Sequence, residues 1–375
     1  MSEPKILFND SYLTLKGERF HYSWLRDYCL CPACRDRGSS QRIFDLSELS
    51  SDLPKPKPLS VKEEVGNVII DWDERPAHQS IFPISWLLGR ANHFNLPIFD
   101  QQVKQKQLWD RDWLEEHPPQ RHNIHNSSKQ VWMDELMHRG FTILSDIQPD
   151  GFVPFLNSLG RLYRTEYGET ITIKHMPNYR DFSYDGHRHL PLHTDFRYMS
   201  AHRWLICLYF VENSTQGGES VILDGFRLAE DYRRKYPHYF ESLVETPAIF
   251  RYFDPEHEYL FEQETPTLKL NRYNQVSDFY IGHHSCDRDI PFARIDAFYE
   301  AYYEFYRAIK SSQYRYTFRL ESGQCALLQN FRIPHGRLPF DPNSGNRHLE
   351  VGHVDWDYIV GRQNFKQAKQ FYLSI

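Results

Sequence analysis

The chain has 375 residues, 25% of them charged and 40% hydrophobic, an ordinary globular balance that excludes a disordered or collagen-like polypeptide. A formal charge of −6 argues against nucleic acid or an anionic membrane surface as the main partner. No apolar run approaches the roughly 18 residues of a membrane span, and residues 1–10 hold no signal-peptide core, so the chain reads as soluble and cytoplasmic.

Taken in chain order, residues 6–15 and 18–22 predict a hairpin around Gly17, followed by a cysteine-rich turn. The Pro/Lys stretch 53–58 predicts a loop, 65–72 a strand and 84–92 a short helix. Residues 1–100 therefore form a small N-terminal module. The polar segment 101–130, broken at Pro118-Pro119, reads as a linker. From residue 131 to 375 short β-type runs dominate: 141–144, 170–174, 203–211, 220–223, 248–253 and 325–329. One long helix opens at Pro291 and carries Ile295, Phe298, Tyr302, Phe305 and Ile309 at alternating spacings of three and four. A long helix among many short strands predicts a β-sandwich or barrel with flanking helices.

Two clusters carry chemistry. Cys29, Cys31 and Cys34 lie too close together for a disulfide framework, and three soft thiolates point to zinc. The fourth ligand must come from elsewhere; His78, in a turn-like context after the 65–72 strand, is preferred to His93. Such a site would fold a module too small to bury much surface alone. The second cluster centres on His193-Thr194-Asp195, whose i, i+2 spacing in a strand would aim both side chains into one cavity. With the distant His335 this makes a two-His-one-carboxylate set, the arrangement that leaves open positions on Fe(II). Arg347, shortly downstream of His335, offers a planar cation for the far carboxylate of 2-oxoglutarate.

At the level of whole motifs the chain resembles the γ-butyrobetaine dioxygenase/trimethyllysine dioxygenase group of the taurine dioxygenase-like enzymes. The resemblance rests on residues 24–34 with 78–82, His193-Thr194-Asp195, Gly217-Gly218-Glu219-Ser220, residues 221–226, His335-Gly336-Arg337, Arg347-His348-Leu349-Glu350 and Asp355-Trp356-Asp357. It implies an α+β chain: a double-stranded β-helix catalytic domain over 131–375 with flanking helices, and a zinc-binding, β-rich N-terminal domain. It also implies iron on His193, Asp195 and His335, 2-oxoglutarate held by Arg347 beside Leu208, His78 as the fourth zinc ligand, and a homodimer.

The group holds quaternary ammonium substrates in an aromatic cage. Tyr167 and Tyr184 match two of its tyrosines, and Phe196 replaces a third. Ile171 and His353 stand where γ-butyrobetaine dioxygenase has a tryptophan and a tyrosine, so the cage is incomplete. Arg197, and Asn271, Arg272 and Asn274 on a segment the resemblance places at the substrate, would suit an anionic group. The reading is therefore an Fe(II)- and 2-oxoglutarate-dependent oxygenase. It would use O₂ to hydroxylate or otherwise oxidise an unactivated C–H bond of a small betaine-like or amino-acid-like substrate, releasing succinate and CO₂. The alternatives are γ-butyrobetaine hydroxylase proper, in carnitine biosynthesis, and a non-catalytic binding protein on the same scaffold.

Overall fold

A computed structural model describes residues 6–36, 38–39, 41–43, 55–91, 106–165, 167–176, 183–199, 203–255, 257–282, 286–287, 290 and 292–373. The chain divides into two compact units, residues 1–104 with 364–375, and residues 105–363.

In the smaller unit the expected hairpin forms from Tyr12–Leu15 and Glu18–His21, with Leu7–Phe8 added at one edge. A second three-stranded sheet joins Pro58–Glu64, Asn67–Trp72 and His78–Pro83, followed by the helix Ile84–Gly89. Alternation decides which side faces inward: Val68, Ile70 and Trp72 are buried at every second position. They pack with Leu13, Leu15, Phe20, Leu25 and Phe82 into one apolar core. The strand expected over 65–72 starts two residues late, because Val65 and Gly66 both take positive φ and form the turn.

The larger unit is built on two sheets. Among the described residues, a six-stranded sheet runs in the order Arg121–Asn123, Phe141–Ser145, Cys325–Gln329, Trp204–Asn213, Arg347–Asp355, Ile171–Lys174. A four-stranded sheet runs Leu190–His193, His335–Arg337, Ser220–Ile222, Tyr316–Phe318. Phe141, Ile143, Ile206, Phe210 and Leu328 from the first sheet pack with Ile222 and Phe318 from the second. The alternate residues of the same strands, Leu144, Leu205, Cys207, Tyr209 and Leu327, face the helices. This is the expected double-stranded β-helix, with cores on both faces of its larger sheet.

Two expectations change here. Besides the helix Ile295–Lys310, helices form at Lys129–Arg139, Phe152–Leu159, Gly225–Lys235, Pro237–Glu245 and Trp356–Leu373. Several open on residues that read as turns: Asp224 accepts a hydrogen bond from Phe226 N and so caps the helix behind it. Residues 106–130 are also folded into the larger unit rather than forming an open linker. Trp109 and Leu114 are fully buried, and Arg121–Asn123 pairs in parallel with Phe141–Ser145.

The tie that brings this segment in is a buried ion pair. Arg332 donates to Asp224 through Nε (3.0 Å) and Nη2 (2.8 Å), and to the carbonyls of His138 (2.9 Å) and Gln107 (2.6 Å). Asp224 also accepts from Trp109 N at 3.2 Å. Removing one partner strands the other charge in the interior. Arg332→Met is therefore expected to cost about 3–5 kcal/mol of stability, read by chemical denaturation. A loss below about 1 kcal/mol, the range of an exposed ion pair, would contradict this role.

Candidate metal centres

In the smaller unit the helix Tyr22–Asp27 runs into a turn closed by Cys34 N and Arg35 N, both donating to Cys31 O at 3.0 Å. His78, first residue of its strand and opposite Trp72, brings Nε2 to 3.2 Å from Cys29 Sγ, 3.5 Å from Cys34 Sγ and 3.9 Å from Cys31 Sγ. The four ligand atoms all lie within 4.8 Å of one another. The competing His93 lies outside the described residues. Burial, with Cys29 beside it, pushes the Cys34 thiol up to about 12, although Arg26 donates to its sulfur at 3.4 Å. Burial and the Arg26 charge hold the His78 pKa down, so the imidazole stays neutral, the form that ligates. Three thiols and an imidazole, with no fifth ligand among the described residues, suit a closed, tetrahedral zinc site.

In the larger unit His193 ends the strand Leu190–His193 and pairs directly with His335, the first residue of His335–Arg337. The two rings are 4.5 Å apart. Asp195 is not on the strand, as the i, i+2 argument assumed, but in the turn after it, where Phe196 takes φ +51°. What aims Asp195 is Asn330: its Oδ1 accepts from Asp195 N at 2.8 Å, and its Nδ2 donates to Asp195 O at 2.9 Å. Asp195 Oδ1 then lies 3.2 Å from His193 Nε2 and 3.7 Å from His335 Nε2. His193 Nδ1 is 2.9 Å from the Pro191 carbonyl, which only accepts, so Nδ1 carries the proton and Nε2 offers its lone pair.

Burial drives the His335 pKa down to about 4, with His193 adding to the shift, so this imidazole is neutral too. Burial would raise the Asp195 carboxyl, but its contacts with His193 and His353 outweigh it and hold the group well below the usual carboxylate range. Two neutral imidazoles and one carboxylate on one side of a cavity fit Fe(II) with positions left open.

That cavity is lined by Tyr167, Ile171, Tyr184, Phe196, Arg197, Leu208 and Arg347 together with the three metal-site residues. Arg347 is half-buried, with its Nε enclosed and its guanidinium 4.9 Å from the Phe210 ring and 5.1 Å from Phe340. Among the described residues its Nε has no hydrogen-bond partner. Burial, then the nearby Arg337 and Arg319, bring its pKa down to about 9, and no carboxylate among the described residues pairs with it. A dicarboxylate such as 2-oxoglutarate supplies one, and the orphaned guanidinium fits its far carboxylate.

Arg197 lies over the Phe250 ring at 4.4 Å and is accommodated by Gly282, where a Cβ would come within 2.5 Å of the guanidinium carbon. Tyr198 and Tyr252, stacked 4.7 Å apart, also line the cavity. Tyr252 OH is 2.8 Å from Tyr167 OH. Nothing in the local sequence marked these two tyrosines, or Asn330, as part of a site.

Four expected substrate residues are placed elsewhere. Asn271, Arg272 and Asn274 sit in the turn between Leu268–Leu270 and Val276–Phe279 and do not line the cavity. Asn271 Oδ1 accepts from Tyr273 N and Gln275 N, and Asn274 takes φ +60°, so the asparagines close a turn. His353 is buried behind the cavity wall, with Nε2 3.1 Å from Asp195 Oδ2.

The sequence matches the family described as taurine catabolism dioxygenase TauD, TfdA over residues 112–353. Residues 6–88 match the gamma-butyrobetaine hydroxylase-like N-terminal family. A gamma-butyrobetaine dioxygenase of Pseudomonas sp. (strain AK-1) is 25% identical over 366 residues, covering 92% of this chain and 89% of that one. The gamma-butyrobetaine dioxygenase of Homo sapiens is 24% identical over 359 residues, covering 90% and 89%. A trimethyllysine dioxygenase of Meyerozyma guilliermondii is 21% identical over 369 residues, covering 92% and 90%.

Proposed function

The chain belongs to the TauD, TfdA dioxygenase family, and on that footing we propose that its larger unit oxidises an unactivated C–H bond of a small betaine-like or amino-acid-like substrate. It is an Fe(II)- and 2-oxoglutarate-dependent dioxygenase. The observation that carries this reading is the convergence of His193, Asp195 and His335 on one cavity that also buries the orphaned Arg347 guanidinium.

When bound, iron and 2-oxoglutarate supply the oxidising chemistry, with succinate and CO₂ as the co-products. The protein's part is placement. His193 and His335 present neutral imidazole nitrogens, and Asp195 contributes one negative charge to the metal. Arg347, whose guanidinium lies near the Phe210 and Phe340 rings, would hold the distal carboxylate of the co-substrate, with Leu208 in the cavity wall. Tyr167, Tyr184, Phe196, Tyr198 and Tyr252 exclude water and offer ring faces to a cationic or aliphatic group. Arg197 offers a cation to an acidic one. In the smaller unit, zinc on Cys29, Cys31, Cys34 and His78 would be structural, since every ligand position is filled by protein.

γ-Butyrobetaine is a second reading, raised by the relatives of that name. Ile171 weighs against it, because it lines the cavity with no ring face to offer. Mixing wild-type protein with Fe(II) and 2-oxoglutarate without oxygen should produce a visible charge-transfer band. Its persistence in His193→Ala would sink the metal assignment. Arg347→Leu removes a charge-assisted hydrogen bond of about 1.5–3 kcal/mol, so the 2-oxoglutarate needed to form the band should rise about 10- to 100-fold. An unchanged requirement would place the co-substrate elsewhere.

The substrate class is tested by succinate release over a panel of betaines, amino acids and phosphonates. At least one betaine or amino acid should raise turnover above the substrate-free rate. No stimulation by either class would refute the assignment, and γ-butyrobetaine as the best substrate would overturn the reading of Ile171.

A further inference from the structure

We propose that His353 is a positioning residue that restricts Asp195 to metal ligation through a single oxygen. This rests on the reading of His193, Asp195 and His335 as the metal ligands. The two carboxylate oxygens of Asp195 have different surroundings. Oδ1 faces both histidine ligands, 3.2 Å from His193 Nε2 and 3.7 Å from His335 Nε2. Oδ2 is turned away and meets His353 Nε2 at 3.1 Å. An ionised carboxylate only accepts, so His353 donates from Nε2.

The donor has little freedom to leave. His353 sits within the strand Arg347–Asp355, opposite Ile206 in the adjoining strand, and is 1% exposed. Its backbone carbonyl accepts from Tyr163 N at 2.8 Å. The Phe196 ring stands 4.5 Å away at 61°, closing the other side of the imidazole. Asn330 already fixes the Asp195 backbone from both its N–H and its carbonyl. What remains loose is the rotation of the carboxylate, and that is the one freedom His353 removes.

Coordination number makes this consequential. Two histidines and a one-point carboxylate leave a six-coordinate iron three positions for a chelating co-substrate and O₂. A carboxylate that swings to bind through both oxygens occupies one of those three. Outer-sphere hydrogen bonds of this kind orient ligands and tune metal affinity. The hydrogen bond also explains why His353 lies off the cavity: its polar edge is committed to Asp195 rather than to a substrate.

The test is Mn(II) binding to the full-length protein, followed by electron paramagnetic resonance without 2-oxoglutarate. His353→Gln and His353→Met are similar in length, and only glutamine keeps an N–H donor; His353→Phe keeps a ring without one. Thermal midpoints are recorded for each variant, and Asp195→Ala defines the site. His353→Met and His353→Phe should bind Mn(II) about 10- to 100-fold more weakly, with His353→Gln recovering most of the loss. Should the phenylalanine variant fail to fold, the Gln/Met pair decides.

Wild-type affinity in His353→Met would overturn the proposal. So would equal losses in His353→Met and His353→Gln, which would mean that packing and not the donor matters. Wild-type protein that binds no Mn(II), or an Asp195→Ala variant that binds as well, would instead refute the metal-site reading itself.

Discussion

The antiparallel pairing that sets His193 directly against His335 is the constraint on which the larger unit's site depends. Side chains in a strand alternate faces, so a slip of one residue would send one imidazole to the far side of the sheet. Three features hold the register. His335–Arg337 is gripped on its other side by Ser220–Ile222, with Ile222 opposite His335. Gly336 lets the strands close up, since a Cβ there would sit 2.6 Å from the Leu190 carbonyl oxygen. Asn330 then anchors the turn that carries Asp195 to the chain just before the second histidine.

Around this fixed triad the charges are arranged for an incoming anion. Arg337 and Arg319 are close enough to Arg347 that, together with burial, they lower its pKa. Arg337 spends its donors on the carbonyls of Asp185, Arg188 and Leu338, and Arg319 on those of Asn213, Thr215 and Gly217. Arg347 is the member with a buried nitrogen that has no acceptor among the described residues. A buried cation with an unmet donor is costly until a ligand arrives, which makes it a selective feature for a dicarboxylate. The substrate end combines ring faces with Arg197, a pairing suited to a molecule with both an apolar or cationic part and an acidic one.

Residue types with strict spacing were the most legible part of the sequence. Three cysteines in one turn, a His-x-Asp, a distant His-Gly-Arg and a following arginine all have few chemical uses, and the structure brings each set together. The β-runs were legible because alternation is a local pattern. Of the helices, the long one at 295–310 and the short one from Ile84 were legible, whereas the one that Asp224 caps was not. The 106–130 segment looked like a linker because its ties are long-range: Trp109 N and Gln107 O meet the Asp224–Arg332 pair, and Arg121–Asn123 pairs with Phe141–Ser145.

Individual side chains were hardest to place. Asn271, Arg272 and Asn274 have the right chemistry for an anion but form a hairpin turn, and turn-forming and ligand-binding asparagines look identical in one sequence. His353 lies on a strand that flanks the cavity, yet which neighbour its ring meets depends on where Asp195 points. That in turn depends on Asn330, far away in the chain. Tyr198 and Tyr252 reach the cavity through a strand pairing and a stacking contact that no local pattern encodes.

Cys29, Cys31, Cys34 and His78 are expected to hold zinc in a closed site, and His193, Asp195 and His335 to hold iron in an open one. Anomalous diffraction from anaerobically grown crystals of the iron-loaded protein, collected on both sides of the iron and zinc edges, tests this most directly. A zinc peak is expected among Cys29, Cys31, Cys34 and His78, and an iron peak bounded by His193, Asp195 and His335. Iron bound away from that triad, or no metal among the three cysteines and His78, would contradict it.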